Sequence, residues 1–139
     1  MHRTILCDIV SVESTLFSSP VRYVVVTAEQ GDIGVYPGHA PLLTLLKAGI
    51  ARLVMEDGTE EVIFISGGFM EVQPHKVILL TDFAKRAMDL DEAAAQLAKQ
   101  HAEEHLGSGS TGLDHARALR ELNEAVARLR AIDMKRNHL

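Results

Sequence analysis

The residues with the most obvious chemical potential lie at His101-Ala102-Glu103-Glu104-His105. This run fits H-x-x-E-H, in which two histidines one helical turn apart ligate zinc and a glutamate acts as general base. On that reading the chain is a zinc-dependent hydrolase working through His101, Glu104 and His105. The pattern arises readily by chance in a helix rich in His and Glu. A working site also needs a third protein ligand and a pocket, and only 34 residues follow. Cys7 stands in a strand-like run with no base nearby, which is the setting of a buried structural thiol. Gly31, Gly34 and Gly38 are spaced by turns and do not lead into a helix, so they make no phosphate-binding fingerprint. Gly67-Gly68 reads as a bulge or tight turn, and no Ser-His-Asp or Cys-His spacing stands out. No catalytic residue, resident metal or cofactor is expected.

Tyr36-Pro37-Gly38-His39-Ala40-Pro41-Leu42-Leu43 is different in kind. Two prolines fix φ on either side of a glycine turn, so Gly38 and His39 are held on a rigid loop. Little ordering entropy is lost when such a loop docks on a partner. The pattern fits an interaction loop and fits a purely structural turn equally well.

The elements that must carry these residues fall into two halves. Up to about residue 88, short β-branched runs alternate with turn signals: Thr4–Glu13, Val21–Ala28, Gly34–Tyr36, Ile50–Met55, Glu61–Ser66, Phe69–Gln73 and Val77–Thr81. Breaks are expected at Ser18-Ser19-Pro20, Gln30-Gly31-Asp32, Pro37-Gly38, Asp57-Gly58, Gly67-Gly68 and Gln73-Pro74. Asp57-Gly58 is a hairpin signal, since both residues accept positive φ. Runs such as Val24-Val25-Val26 and Val62-Ile63-Phe64-Ile65 do not alternate, which predicts cover on both faces. Many short strands at this spacing predict a sandwich or barrel.

Alanine takes over after Met88. Leu90, Ala93, Ala94, Leu97, Ala98, Ala102 and Leu106 recur at helical spacing, predicting a helix over 89–106 with Asp89 as N-cap. Residues 107–112, GSGSTG, form a six-residue break. A second helix is expected over about 113–135, with Ala116, Leu119, Leu122, Val126, Leu129 and Ile132 on its apolar stripe. The fold class is therefore α+β: an all-β sandwich over 1–88, then an antiparallel two-helix hairpin over 89–139. A lone hairpin buries little apolar area and needs the sandwich or another protein for support. That predicts a mobile second half, with permanent docking as the plain alternative.

Composition narrows the partners. The formal charge is −5, aromatics are 4% and Trp is absent, which argues against phosphate backbones and base stacking, and so against nucleic acid. No apolar run approaches the ~20 residues of a membrane-spanning helix, and Met1-His2-Arg3-Thr4 has no signal-peptide shape. A single cysteine permits no internal disulfide, which fits a reducing cytoplasm. Charge is unevenly divided. Residues 1–88 hold seven basic and ten acidic groups (−3), residues 89–106 one and five (−4), and residues 107–139 six and four (+2). A basic last helix can hold the acidic first one and can also meet an acidic partner.

Gly34-Val35-Tyr36-Pro37-Gly38-His39-Ala40-Pro41-Leu42-Leu43-Thr44 and Ser66-Gly67-Gly68-Phe69-Met70-Glu71-Val72, in that order and followed by a helical hairpin, make the chain recognisable. With Asp8-Ile9-Val10-Ser11-Val12-Glu13, Asp89-Leu90-Asp91-Glu92-Ala93 and Ala102-Glu103-Glu104, the sequence closely resembles the ε subunit of bacterial F-type ATP synthases over nearly its whole length. The resemblance implies a non-catalytic rotor subunit that couples proton translocation to ATP synthesis. Its sandwich would bind the γ subunit of the central stalk and rest on the polar loops of the c-ring. By position, Asp32 matches the family's acidic residue facing the ring, and Gly38 and His39 lie in the loop at the γ and ring contacts. The hairpin would lie folded on the sandwich or extend into the catalytic head, where it inhibits ATP hydrolysis. Arg117, Arg120, Arg128 and Arg130 are then the candidates to meet the acidic loop of the β subunit. The location implied is the cytoplasmic face of a bacterial plasma membrane, reached peripherally through the complex, with no homo-oligomer.

Some family members bind ATP on the folded hairpin through Asp-x-x-Arg-Ala, which raises an ATP-sensing module as a further alternative. Here Asp91 is retained but the arginine position is Ala94. A further arginine and a preceding glutamate of the family are His101 and Lys85, while Arg128 keeps a basic group. Loss of guanidinium groups removes bidentate phosphate contacts, so only a vestigial site at Asp91 and Arg128, with weak or absent ATP binding, is expected.

Overall fold

The computed structural model describes residues 3–109 and 111–137. Met1 and His2, and Ser110 of the expected interhelical break, lie outside the described residues. Eight strands come first: β1 (Ile5–Ser11), β2 (Thr15–Ala28), β3 (Gly31–Val35), β4 (Leu42–Met55), β5 (Glu60–Ile65), β6 (Gly68–Gln73), β7 (Lys76–Thr81) and β8 (Ala84–Arg86). A short 3-10 turn at Ala87–Asp89 leads to α1 (Glu92–Gly107) and α2 (Gly112–Asn137).

Strand order is β3-β2-β1-β7-β6-β4-β5-β8, with β2 also pairing β4. The two fourteen-residue strands make this possible, because each changes partner along its length. The first half of β2 pairs β1, and its second half pairs β3 and β4. Likewise Leu42–Leu46 of β4 pair β6, while Gly49–Val54 pair β5. The result is two layers, β1-β7-β6 and β3-β2-β4-β5-β8, joined by strands that pass between them.

Here the structure corrects three expectations. Ser18-Ser19-Pro20 does not end a strand. It lies within β2 just before the change of partner, where Pro20, which has no amide hydrogen to give the ladder, sits next to an irregular register at Val21/Tyr23. The strand expected over 50–55 begins at Leu42, because Leu42–Leu46 complete the ladder to β6 despite following a proline loop. β8 was not foreseen, since three residues carry no periodicity.

Ile5, Ile9, Val24, Val26, Leu53, Ile63, Ile65, Met70, Val72 and Leu79 fill the space between the layers, each completely buried. Side chains of this size stabilise by roughly 1.5–3 kcal/mol each when removed from water. Val62-Ile63-Phe64-Ile65 is buried at every position, as its lack of alternation predicts. Ile63 and Ile65 face the interior, while Val62 and Phe64 lie under α2 with Ile50, Ala87, Ala127 and Ala131. Gly68 at the start of β6 has φ +126°, and a Cβ there would come within 2.0 Å of the Leu80 carbonyl oxygen. Only glycine lets β6 approach β7 at that point.

The helices begin and face differently from expectation. Asp89 belongs to the 3-10 turn, and the N-cap of α1 is Asp91, whose side chain accepts a 3.0 Å hydrogen bond from the Ala94 amide. The buried positions are Ala95 and Ala102 on α1 and Ala118, Ala125, Ala127 and Ala131 on α2. Leu97, Leu119 and Val126, expected inside, are 67%, 45% and 44% exposed. Alanines win these contacts because a side chain of one carbon lets helix axes and sheet approach closely. The helices are antiparallel, with Glu92 at the head of α1 paired to Arg136 at the tail of α2. α2 lies on β4 and β5, while α1 packs chiefly on α2.

Candidate functional site

Gly38 and His39 sit where the sequence places them, on a braced loop. Gly38 adopts φ +85° and donates its amide to the Pro74 carbonyl at 2.7 Å, tying the loop to the β6–β7 turn. The His39 amide donates to the Tyr36 carbonyl at 3.1 Å, and its Nδ1 lies 2.6 Å from the Ala40 carbonyl oxygen. Tyr36 stacks on Tyr23 with centroids 4.7 Å apart. Asp32 is exposed near the start of β3, opposite Thr27. From Asp32 the rest of β3, roughly 10 Å of extended chain, leads away to the Gly38–His39 loop, so these residues do not form one cluster.

A surface the sequence reading missed lies on the outer face of the layer containing β6 and β7. Leu45 pairs Phe69, Phe69 pairs Leu80 and Leu80 pairs Val10, giving an apolar row across four strands. Leu45, Phe69 and Leu80 are 47%, 51% and 52% exposed, and Leu43 beside them is also exposed. Large apolar residues aligned on a solvent face make this row a candidate docking surface. The alternation that points them outward was readable in Leu43-Thr44-Leu45. Their alignment across strands was not.

The four arginines of α2 separate. Arg120 and Arg130 are exposed and line a half-open cleft of about 620 Å³ between α2 and the sandwich, with Asp32, Lys47 and Glu124. Arg117 is exposed near the interhelical connection, beside His101, His105 and Asp114. Arg128 instead turns toward the sandwich. Its guanidinium carbon lies 4.9 Å from the Phe64 ring centroid and 5.5 Å from that of Phe83, and its Nε is buried without a hydrogen-bond partner among the described residues.

Of the vestigial nucleotide positions, Ala94, His101 and Arg128 come together around a cleft of about 440 Å³ between the helices. Asp91 is engaged as the α1 cap. Lys85 lies on β8 opposite Phe64. His101, Glu104 and His105 share a helix, but among the described residues no group of three or more His, Cys, Asp or Glu is placed to hold a metal ion. Glu104 accepts a long hydrogen bond from Gln100. Cys7 is fully buried, and desolvation, reinforced by nearby Asp8, pushes its thiol up to about 12, so it is no nucleophile at neutral pH. No helix among the described residues is long and apolar enough to cross a membrane.

Comparison with known proteins accounts for both halves. Residues 4–87 match the model of the ATP synthase, Delta/Epsilon chain, beta-sandwich domain, and residues 88–133 match that of the ATP synthase, Delta/Epsilon chain, long alpha-helix domain. A chain of the Euglena gracilis mitochondrial ATP synthase, seen by cryo-electron microscopy with OSCP, F1 and the c-ring, superposes with a TM-score of 0.86. It is 21% identical, over 95% of this chain and 83% of that one. A chain of the Tetrahymena thermophila mitochondrial ATP synthase central stalk and c-ring gives a TM-score of 0.66 at 9% identity, over 92% of this chain and 96% of that one. Such identities speak to fold. The two domain models, in sequence order and meeting at residues 87 and 88, speak to descent: this chain belongs to the ATP synthase delta/epsilon chain family.

Proposed function

We propose that the chain is a non-catalytic central-stalk subunit of a rotary ATP synthase. In this reading residues 1–88 join the γ subunit to the c-ring, and residues 89–139 form a regulatory hairpin that restrains ATP hydrolysis. The observation that carries the reading is the contrast between the sandwich's two outer faces. One presents the bare row Leu45–Phe69–Leu80, apolar enough to bind γ. The other is covered by a hairpin that rests on it through Ala127, Ala131 and the partly buried Met134, a contact small enough to release.

Asp32, Gly38 and His39 are then the residues presented to γ and the polar loops of the c-ring. Arg117, Arg120, Arg128 and Arg130 face the acidic loop of the β subunit once the hairpin extends. The membrane is met peripherally, through the complex, at the cytoplasmic face of a bacterial plasma membrane. Coupling of proton flow to synthesis follows from the sandwich's grip on both rotor parts. With Ala94 and His101 in place of guanidinium groups, ATP does not bind the hairpin tightly, and micromolar affinity by calorimetry on the isolated protein would overturn that.

Truncation after Arg86 in the assembled enzyme is the deciding experiment. The expected result is retained assembly and proton coupling with ATP hydrolysis released from inhibition. Failure to assemble, or hydrolysis that does not rise, would refute the regulatory role of the hairpin.

A further inference from the structure

We propose that Arg128 is the latch of the docked hairpin. Its guanidinium, laid against Phe64 and Phe83, holds α2 on the sandwich, so this arginine opposes extension. The consequence for hydrolysis rests on the function proposed above, whereas the latch itself does not.

Three features support this. In its apolar contact with Ile50, Val62 and Phe64, α2 supplies two buried alanines, Ala127 and Ala131, and one larger side chain, Met134, that is only partly buried. Leu119 and Val126, which could have added area, stay at the edge of the open cleft. Arg128 adds a charged group laid over two rings of the sandwich, at 4.9 and 5.5 Å from centroids that are themselves 6.1 Å apart. A planar guanidinium can be attracted to both ring faces at once, which a lysine ammonium cannot do as well.

The receiving side is prearranged. Phe64 is fixed in β5 with no exposure. Phe83 lies in the bend before β8, where its amide donates to the Ser66 hydroxyl at 3.0 Å and its carbonyl accepts from the Thr81 hydroxyl at 2.9 Å and the Ser66 amide at 3.0 Å. A backbone held this way narrows the positions open to the Phe83 ring, so less freedom is lost when the cation arrives. The cation also has a nearby alternative that it does not use. Glu124, one helical turn earlier, lines the same interhelical cleft, yet no ion pair joins it to Arg128 among the described residues. The guanidinium is committed to the rings, with its buried Nε left without a hydrogen bond. Extension would then be an exchange, in which Arg128 leaves two rings for an acidic surface.

The test is energy transfer within the isolated full-length chain, with dyes on Glu56→Cys of the sandwich and Gln96→Cys of α1, both exposed, and the buried Cys7 left native. Arg128→Met is expected to raise the undocked population about tenfold, with Arg128→Lys in between. Phe83→Leu is expected to reproduce most of that rise, and the double variant to add little to either single change. Arg120→Ala should leave docking unchanged. If Arg128→Met does not fold, the part-exposed Phe83 position decides alone. Populations within twofold of the unaltered chain for Phe83→Leu and for any folded Arg128→Met would overturn the latch. In the assembled enzyme Phe83→Leu, which keeps all four arginines, should lower ATP hydrolysis by favouring extension. Looser docking with hydrolysis unchanged would support the latch and overturn the inhibitory reading.

Discussion

The interior of the sandwich and the seam beneath α2 are both apolar, but they are built to different specifications. Between the sheets, Ile5, Ile9, Leu53, Ile63, Met70 and Leu79 interlock from both sides and leave no exposure. Under α2, two alanines and the partly buried Met134 meet Ile50, Val62 and Phe64, an arginine lies over two rings, and a cleft of about 620 Å³ remains open beside them. Large interlocking side chains make a contact that is lost only by unfolding. Small ones make a contact that can be given up while both partners stay folded.

The contrast can be tested from both sides. Leu79→Ala removes a fully buried core side chain and should cost about 2–5 kcal/mol in denaturant unfolding of the sandwich. A loss below about 1 kcal/mol would mean that the core is no tighter than the seam. Ala131→Leu overpacks the seam and should disfavour docking by about 1–3 kcal/mol while leaving the sandwich's amide-exchange protection intact. Loss of that protection would show that hairpin and sandwich are one cooperative unit.

A pH series reads the core through Cys7. Its thiol is raised from 9.0 in the exposed state to about 12 by burial, so the folded chain holds the proton more tightly. The contribution is fully present below about pH 9 and is lost as pH rises toward 12. Stability relative to Cys7→Ala should therefore fall by up to about 1.4 kcal/mol per pH unit over that range. Parallel curves for the two chains would contradict a dry core.

On the hairpin, Asp91→Ala removes the α1 cap and should cost about 1 kcal/mol of helix stability, read as faster exchange in the first turn of α1 alone. Smallest of all is Glu92→Gln at the exposed pair with Arg136, for which only a slight, salt-sensitive change in docking is expected. A large change there would shift the hold on the hairpin from the seam to its ends.

Much of this is legible in the sequence alone. β-branched runs, the Asp57-Gly58 turn and the alanine-rich helical spacing mark local preferences that tertiary structure left in place. Misreadings occurred where a residue's role depends on something distant in sequence. Pro20 looks like a strand break, but it lies just before a change of partner within one strand. Leu97, Leu119 and Val126 look like core by hydropathy, yet alanines one or two positions away take the buried places, because close approach of the helices selects for small size.

The sequence by itself determined the two-part organisation, the proline-flanked turn at Gly38–His39 and the basic character of the last helix. Each follows from the chemistry of neighbouring residues. Only the tertiary structure decided that Leu45, Phe69 and Leu80 form one row and that Arg128, alone among its four candidates, is engaged with the sandwich rings. Phe64 and Phe83 stand 64 and 45 positions before Arg128, and no local pattern records a contact that long-range strand pairing and helix docking create.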